Sequence, residues 1–373
     1  MTTTRATYLD WNATAPVLPE VAAAMAEALL RCGNASSVHR AGRAARQAVE
    51  AARDEVAALV GAASADVIFT SGGSEANQTA LRGFPDRRII VSAIEHDSVR
   101  EAAPGAFVLP VRGDGIVDLA VLETMIAGSR SRALVSIMLA NNETGAIQPI
   151  AEAALLAHAH GALLHSDAVQ AAGRLPLPEV ARGADLLTLS AHKIGGPQGV
   201  GALIIASPDL PLVPLITGGG QERGRRAGTE NVAGIVGFGV AARLARARIA
   251  DQARIATLRD AAERRLLAAA PGARIFAADV SRLANTICIA MPGVSAATQV
   301  MGLDLAGVLV SAGAACSSGK LRRSPVLEAM GVSADEADCA IRISLGWSTA
   351  AADIDHLVEA WSALYARVRA RAA

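Results

Sequence analysis

A chain of 373 residues is too long for one simple domain, and two domains are the natural expectation. Hydrophobic residues make up 52% and charged residues 19%, which suits a large buried core and excludes a disordered chain. Lys+Arg and Asp+Glu each total 35, so no basic surplus draws the chain to nucleic acid or an anionic membrane, and a small-molecule substrate is expected. The N-terminal MTTTRATYLD has no apolar run of the signal-peptide type. The longest greasy stretch, 232–242, stops at Arg243 and is too short to span a bilayer. The four cysteines, Cys32, Cys288, Cys316 and Cys339, are far apart and form no C-x-x-C pair. That spacing argues against a zinc site or a disulfide framework and for a reducing cytoplasm.

From about residue 55 to 205, short β-branched or apolar runs alternate with Ala-rich helical stretches, the βαβ pattern of a largely parallel sheet covered on both faces. Strands are expected at 67–70, 88–94, 133–139, 162–165, 186–190 and 201–206. Helical spacing of apolar residues marks 41–60 and 150–159. An Arg-studded helix follows from 232 to about 267. Beyond it, short strands near 286–290 and 340–345 mix with helices, the last over 351–371. The expectation is an α/β protein with a large domain over 14–250. A smaller α+β domain covers 251–373, with segment 1–13 packing on it.

Polar clusters follow the strands of the first domain: Ser71-Gly-Gly-Ser-Glu-Ala-Asn77, Glu95-His-Asp-Ser98, Asn141-Asn-Glu-Thr-Gly145, Ser166-Asp-Ala-Val-Gln170 and Ser190-Ala-His-Lys-Ile-Gly-Gly196. Open parallel sheets bind ligands at the carboxyl ends of their strands, so five clusters in register predict one crevice. Together they fit pyridoxal-5′-phosphate (PLP). The glycine turn with Gly73 and Ser74 opens a helix whose free N–H groups suit a phosphate, against the plainer reading of an ordinary Ser cap. Asp167 suits a pyridinium nitrogen, which makes the ring an electron sink; a helix cap is the alternative. His96 suits the ring face, or is a hydrogen-bonded loop residue. The chain has only two lysines, Lys193 and Lys320, and uses Arg wherever else it needs a positive charge. Arg stays protonated and is a poor nucleophile, so Lys193 is the amine that can form a Schiff base with an aldehyde cofactor, against the plainer reading of a surface charge.

Two more groups come from the second domain. Arg342 interrupts the apolar run AIRISLG, and an inward Arg is costly unless it meets an anion such as a substrate carboxylate. An edge-strand Arg facing water is the competing reading. Cys316 lies in SAGAACSSGK, a run of small residues, with Lys320, Arg322 and Arg323 near in sequence, a setting that favours a reactive thiolate. Cys288 and Cys339 sit in apolar strand contexts and read as buried spectators.

These motifs resemble, nearly end to end, cysteine desulfurases of the NifS/IscS type in the class-V aminotransferase family. The likeness covers Tyr8-Leu-Asp10 with Ala13-Thr14, Gly33-Asn34 with Ser37 and His39, Phe69 to Asn77, Glu95-His96 and Asn141 to Gly145. It continues through Asp167-Ala-Val-Gln170, Ser190-Ala-His-Lys193, Gly218 to Asn231, the Cys316 loop and Arg342. The resemblance implies PLP fold type I and a homodimer with the cofactor at the subunit interface. It places Gly73, Ser74 and Ser190 or His192 on the phosphate side, Asn142 at the ring hydroxyl, Asp167 at the ring nitrogen and Gln170 beside the ring. Thr229 reaches the partner subunit's phosphate, and Asn34 helps Arg342 hold the substrate carboxylate. Cys316, Lys193 and His96 form the implied catalytic set. The implied reaction takes sulfur from L-cysteine as a Cys316 persulfide, releases alanine and passes the sulfur to an acceptor such as an iron–sulfur scaffold. A selenocysteine lyase or another class-V PLP enzyme is the alternative. Trp11 departs from the family's usual Asn or Asp, Ser74 from its frequent Thr. The loop over 319–324 is basic where the family's is acidic.

Overall fold

The computed structural model describes residues 6–127, 132–206, 209–313 and 323–372. In chain order the strands are β1 (Thr7–Tyr8), β2 (Val67–Thr70), β3 (Arg88–Ser92), β4 (Phe107–Leu109), β5 (Ala133–Ser136), β6 (Leu163–Asp167) and β7 (Leu186–Ser190). They continue with β8 (Gly201–Ile205), β9 (Arg274–Ile275), β10 (Thr286–Ala290), β11 (Val308–Leu309), β12 (Ser311–Ala312) and β13 (Ala340–Ser344). Among the described residues, seven of them make one sheet in the order β2-β8-β7-β6-β5-β3-β4. The stretch from β4 to β7 is parallel, and β8 runs antiparallel to both neighbours. Strands such as VIFT, LLTLS and GALII are buried throughout, because helices cover both faces of the sheet. The edge strand β4 escapes a reading by periodicity. It has three residues, two of them exposed.

The helix Arg40–Val60 shows how local chemistry sets an element. His39 Nδ1 accepts from the Gly42 N–H at its start, and Gly61 closes its end at φ 70°. It packs closely on the helix Val232–Ala247. A Cβ on Gly239 would lie 2.6 Å from the Ala52 Cα, so only glycine allows this approach. The single helix expected over 232–267 is broken. Val232–Ala247 ends, a 3-10 turn covers Ile249–Asp251, and a second helix runs over Gln252–Ala269. No Gly or Pro marks the break. Arg248 leaves helical geometry with its guanidinium over the Trp347 ring, 5.5 Å from the centroid. Tertiary packing overrides propensity there.

The smaller sheet has the order β12-β13-β10-β9 and is antiparallel. Its core centres on Trp361, Leu357, Ile341 and Ile343, all fully buried. β1 pairs in parallel with β11, and Asp10 bridges to Ser344. Asn12 then ties this corner to the larger sheet's loops. Its side chain donates to Thr286 Oγ1 (3.0 Å) and the Asn142 carbonyl (3.2 Å), and accepts from Asn285 Nδ2 (3.0 Å). Among the described residues no helix is long and apolar enough to cross a membrane.

A buried ion pair fastens the loop over 221–224 to β2. Arg53 Nη1 and Nη2 donate to Glu222 Oε2 and Oε1 at 2.7 and 2.9 Å, and Glu222 Oε2 also accepts from the Phe69 N–H. Glu222 and Arg223 hold φ values of 46° and 58°, a strained region for side-chain-bearing residues that these contacts maintain. Replacing Arg53 with Met leaves a buried carboxylate without its cation. The expected loss is about 3–5 kcal/mol in urea unfolding. The double variant R53M/E222L should recover most of it, and a single-variant loss below about 1 kcal/mol would contradict the assignment.

Candidate active site

The carboxyl ends of β3, β5, β6 and β7 converge with the start of the helix Gly73–Arg82 on one cavity of about 250 Å³. Gly73, Ser74, His96, Asn142, Asp167, Gln170, Ser190, His192 and Lys193 all line it. The helix start settles the first open alternative. Gly72, not a serine, is the N-cap, and no side chain caps it. Its first-turn N–H groups are therefore open to an anion. Beneath the turn, a Cβ on Gly201 would sit 2.5 Å from the Gly72 carbonyl carbon, so β8 carries glycine where the turn presses on it.

Asp167 ends β6 and is buried. Its Oδ2 accepts from Asn77 Nδ2 at 2.7 Å and its Oδ1 from the Val169 N–H at 2.9 Å. Asn77 also donates to Ser98 Oγ, and its Oδ1 is buried without a partner. Two residues earlier, His165 bridges the strands from Ser136 Oγ (2.8 Å) to Thr188 Oγ1 (3.0 Å). Burial pushes its pKa down to about 4, so it is a neutral strut rather than a competing cation. His96 caps its own short helix, accepting from the Ser98 N–H.

Lys193 follows β7 within a 3-10 turn over Ala191–Lys193. Its Nζ donates to the carbonyls of Asn12 (2.6 Å) and Ala13 (2.8 Å). Burial lowers its pKa to about 7, helped by Arg342 and Arg174 and opposed by Asp167 and Asp10. A neutral amine is thus well populated at neutral pH. His192 bonds to Thr14 Oγ1 at 3.1 Å, and burial and the neighbouring Lys193 bring it down to about 4.

Arg342 is buried in β13, which lies between β12 and β10, so the edge-strand alternative is excluded. The anion it meets is Asp10, with Nη2 to Oδ1 at 2.8 Å; Nη1 donates to the Asn142 carbonyl and Nε is buried without a partner. Through Asn142 it adjoins the cavity. Two predicted residues stand apart. Thr229 lines a separate pocket with Ser71, Glu222 and Arg226. Asn34 is exposed, its Oδ1 accepting from the Ser36 N–H. Cys316 and Lys320 lie outside the described residues. Of the other cysteines, Cys288 is buried and burial pushes its thiol pKa far up, Cys339 is partly buried and raised, and Cys32 is exposed.

Asn77, Asn12, Asp10, Arg174 and Glu95 belong to this region without having been assigned roles from sequence. Asn77 had a readable signal, three residues past Ser74 on one helix face. Glu95 is fully enclosed, accepting from Ser92 Oγ and the Met138 N–H, and burial raises its pKa to about 8. The site as a whole fits PLP. An uncapped helix start suits a phosphate, a fixed carboxylate suits a ring nitrogen, and an amine of lowered pKa suits an aldehyde, all on one cavity.

The fold and this constellation define a class-V aminotransferase, and the chain belongs to that family: its model, Aminotransferase class-V, matches residues 7–357. A cysteine desulfurase of Cereibacter sphaeroides is 45% identical over 97% of this chain and 96% of its own length. An IscS-like cysteine desulfurase of Mycobacterium tuberculosis is 40% identical over 97% of both chains. The solved structure of a NifS-like protein from Rickettsia africae superposes with a TM-score of 0.91 at 38% identity, covering 97% of this chain and all of that one.

Proposed function

We propose that the chain is a PLP-dependent cysteine desulfurase that moves the sulfur of L-cysteine onto Cys316 and releases alanine. The observation that carries the reading is Lys193, whose amine is held on two carbonyls with a pKa lowered to about 7 in the cavity that also holds Asp167. PLP, when bound, accepts the charge left at the substrate Cα after its proton is removed. Gly73, Ser74 and Ser190 or His192 would hold the phosphate, Asn142 would meet the ring hydroxyl, and Gln170 and His96 would lie against the ring. Asp167 would keep a proton on the ring nitrogen. Lys193 would hold the cofactor, and its free amine would move the Cα proton. Arg342 grips the α-carboxylate, assisted by Asn34. The Cys316 thiolate attacks the substrate Sγ. As the S–S bond forms, the Cβ–Sγ bond breaks and its electron pair stays with the carbon fragment, which is protonated to alanine.

The reading extends to a homodimer in which Thr229 closes the neighbouring phosphate site, a large domain over 14–250 and a small one over 251–373. It also extends to a cytoplasmic location and a protein acceptor for the sulfur, such as an iron–sulfur scaffold. Incubation with L-cysteine should yield alanine and protein-bound sulfur in equal amounts in the first turnover. Selenide from selenocysteine without cysteine turnover would favour a lyase, and an amino group passed to a keto acid a plain aminotransferase. Arg342→Ala should weaken apparent cysteine binding by about 1.5–3 kcal/mol while PLP stays bound. Loss of PLP with unchanged cysteine binding would make Arg342 structural instead.

A further inference from the structure

Arg174 stands four residues after Gln170, beside Lys193 in a pocket behind the amine that also holds Arg248 and Asp251. Its Nη1 donates to the backbone and side-chain oxygens of Gln170, and its Nη2 to the Trp11 carbonyl at 3.4 Å. A guanidinium carries only donors, so the Gln170 oxygen must face Arg174 and the amide nitrogen must face away. That nitrogen donates at 3.0 Å to the Asn12 carbonyl, the same oxygen that receives Lys193 Nζ at 2.6 Å. One chain of bonds thus runs from Arg174 through Gln170 and Asn12 to the amine.

The charges around Lys193 are not equivalent. Asp10 is paired with Arg342 at 2.8 Å, and Asp167 is held by Asn77 and the Val169 N–H. His192, beside the amine, is neutral. Among the described residues no carboxylate lies within ion-pair distance of Arg174. We propose that Arg174 is a positioning residue for Lys193, fixing the Gln170 amide and the Trp11 carbonyl next to the Asn12 and Ala13 carbonyls on which the amine rests, and placing an unneutralised positive charge behind it. The role rests on reading Lys193 as the cofactor lysine. The direction of the Lys193 shift agrees, with Arg174 among its causes after burial and Arg342.

The experiment uses the full chain freed of cofactor. With only two lysines, acylation mapped by mass spectrometry reports Lys193 separately from Lys320 at each pH. Arg174→Met should raise the Lys193 labelling midpoint by about one pH unit, because removing a nearby cation favours the protonated amine. Arg174→Lys, which keeps the charge and a donor, should return the midpoint most of the way to wild type. An R174M midpoint within about 0.3 pH units of wild type overturns the proposal. If R174M does not fold, R174Q replaces it: a midpoint about one unit above that of R174K supports the role, and equal midpoints overturn it. Failure of borohydride to fix PLP on Lys193 would instead sink the reading of the site, and the midpoints would stand apart from that result.

Discussion

Lys193→Ala is expected to lower cysteine turnover on the order of 10⁴-fold, the upper range for loss of a positioned proton-transfer group. The purified wild-type chain should be yellow, and borohydride should attach PLP to the peptide containing residue 193; in the variant this attachment should vanish. Lys320 is the only other lysine and lies outside the described residues, so it offers a built-in control for labelling at the wrong amine. Lys193→Arg should not rescue turnover, because a guanidinium stays protonated and cannot bond to an aldehyde. The two carbonyls under Nζ would still be satisfied by such a cation, which separates chemistry from packing. A K193A chain retaining a tenth of wild-type turnover would remove this residue from the mechanism.

The second large effect belongs to Cys316. Cys316→Ser should leave PLP binding intact, reduce cysteine-dependent alanine release to background and abolish protein-bound sulfur. The same change at Cys288 should be silent in both assays, since that thiol is buried in β10 and burial holds it protonated. Cys339, partly buried with a raised pKa, should behave alike, and so should exposed Cys32, which lines a pocket with Gly33 and Ala41 away from Lys193. Alanine release from C316S at the wild-type rate would mean that sulfur leaves without a nucleophile, and the lyase reading would replace the desulfurase one.

Six of the seven strands in the large sheet, all but the edge strand β4, were legible because two-sided burial writes itself as continuous apolar runs, and the loops after them because they are the polar remainder. Asp167 and Lys193 could be placed on one crevice from strand ends alone. The break at Arg248 could not, since it depends on a ring, Trp347, ninety-nine residues further on. Nor could the partner of Arg342. An inward arginine announces that some anion is near, but Asp10 reaches it through a β1–β11 pairing that no periodicity in a two-residue strand reveals. Arg174 was hidden for a related reason: in a chain that uses Arg wherever it needs charge, one more Arg carries no signal until its lack of a carboxylate partner is seen.

The N-terminal segment sets a timetable for biosynthesis. Thr7 pairs with Val308, and Asp10 and Asn12 meet Ser344, Arg342 and Thr286. The strand at Thr7–Tyr8 therefore waits for partners about 300 residues further along the chain. At 5–20 residues per second that delay is roughly 15–60 s. Until it ends, the carbonyls that steady the Lys193 amine lack their ties to the smaller sheet and keep those to Gln170 and Arg174.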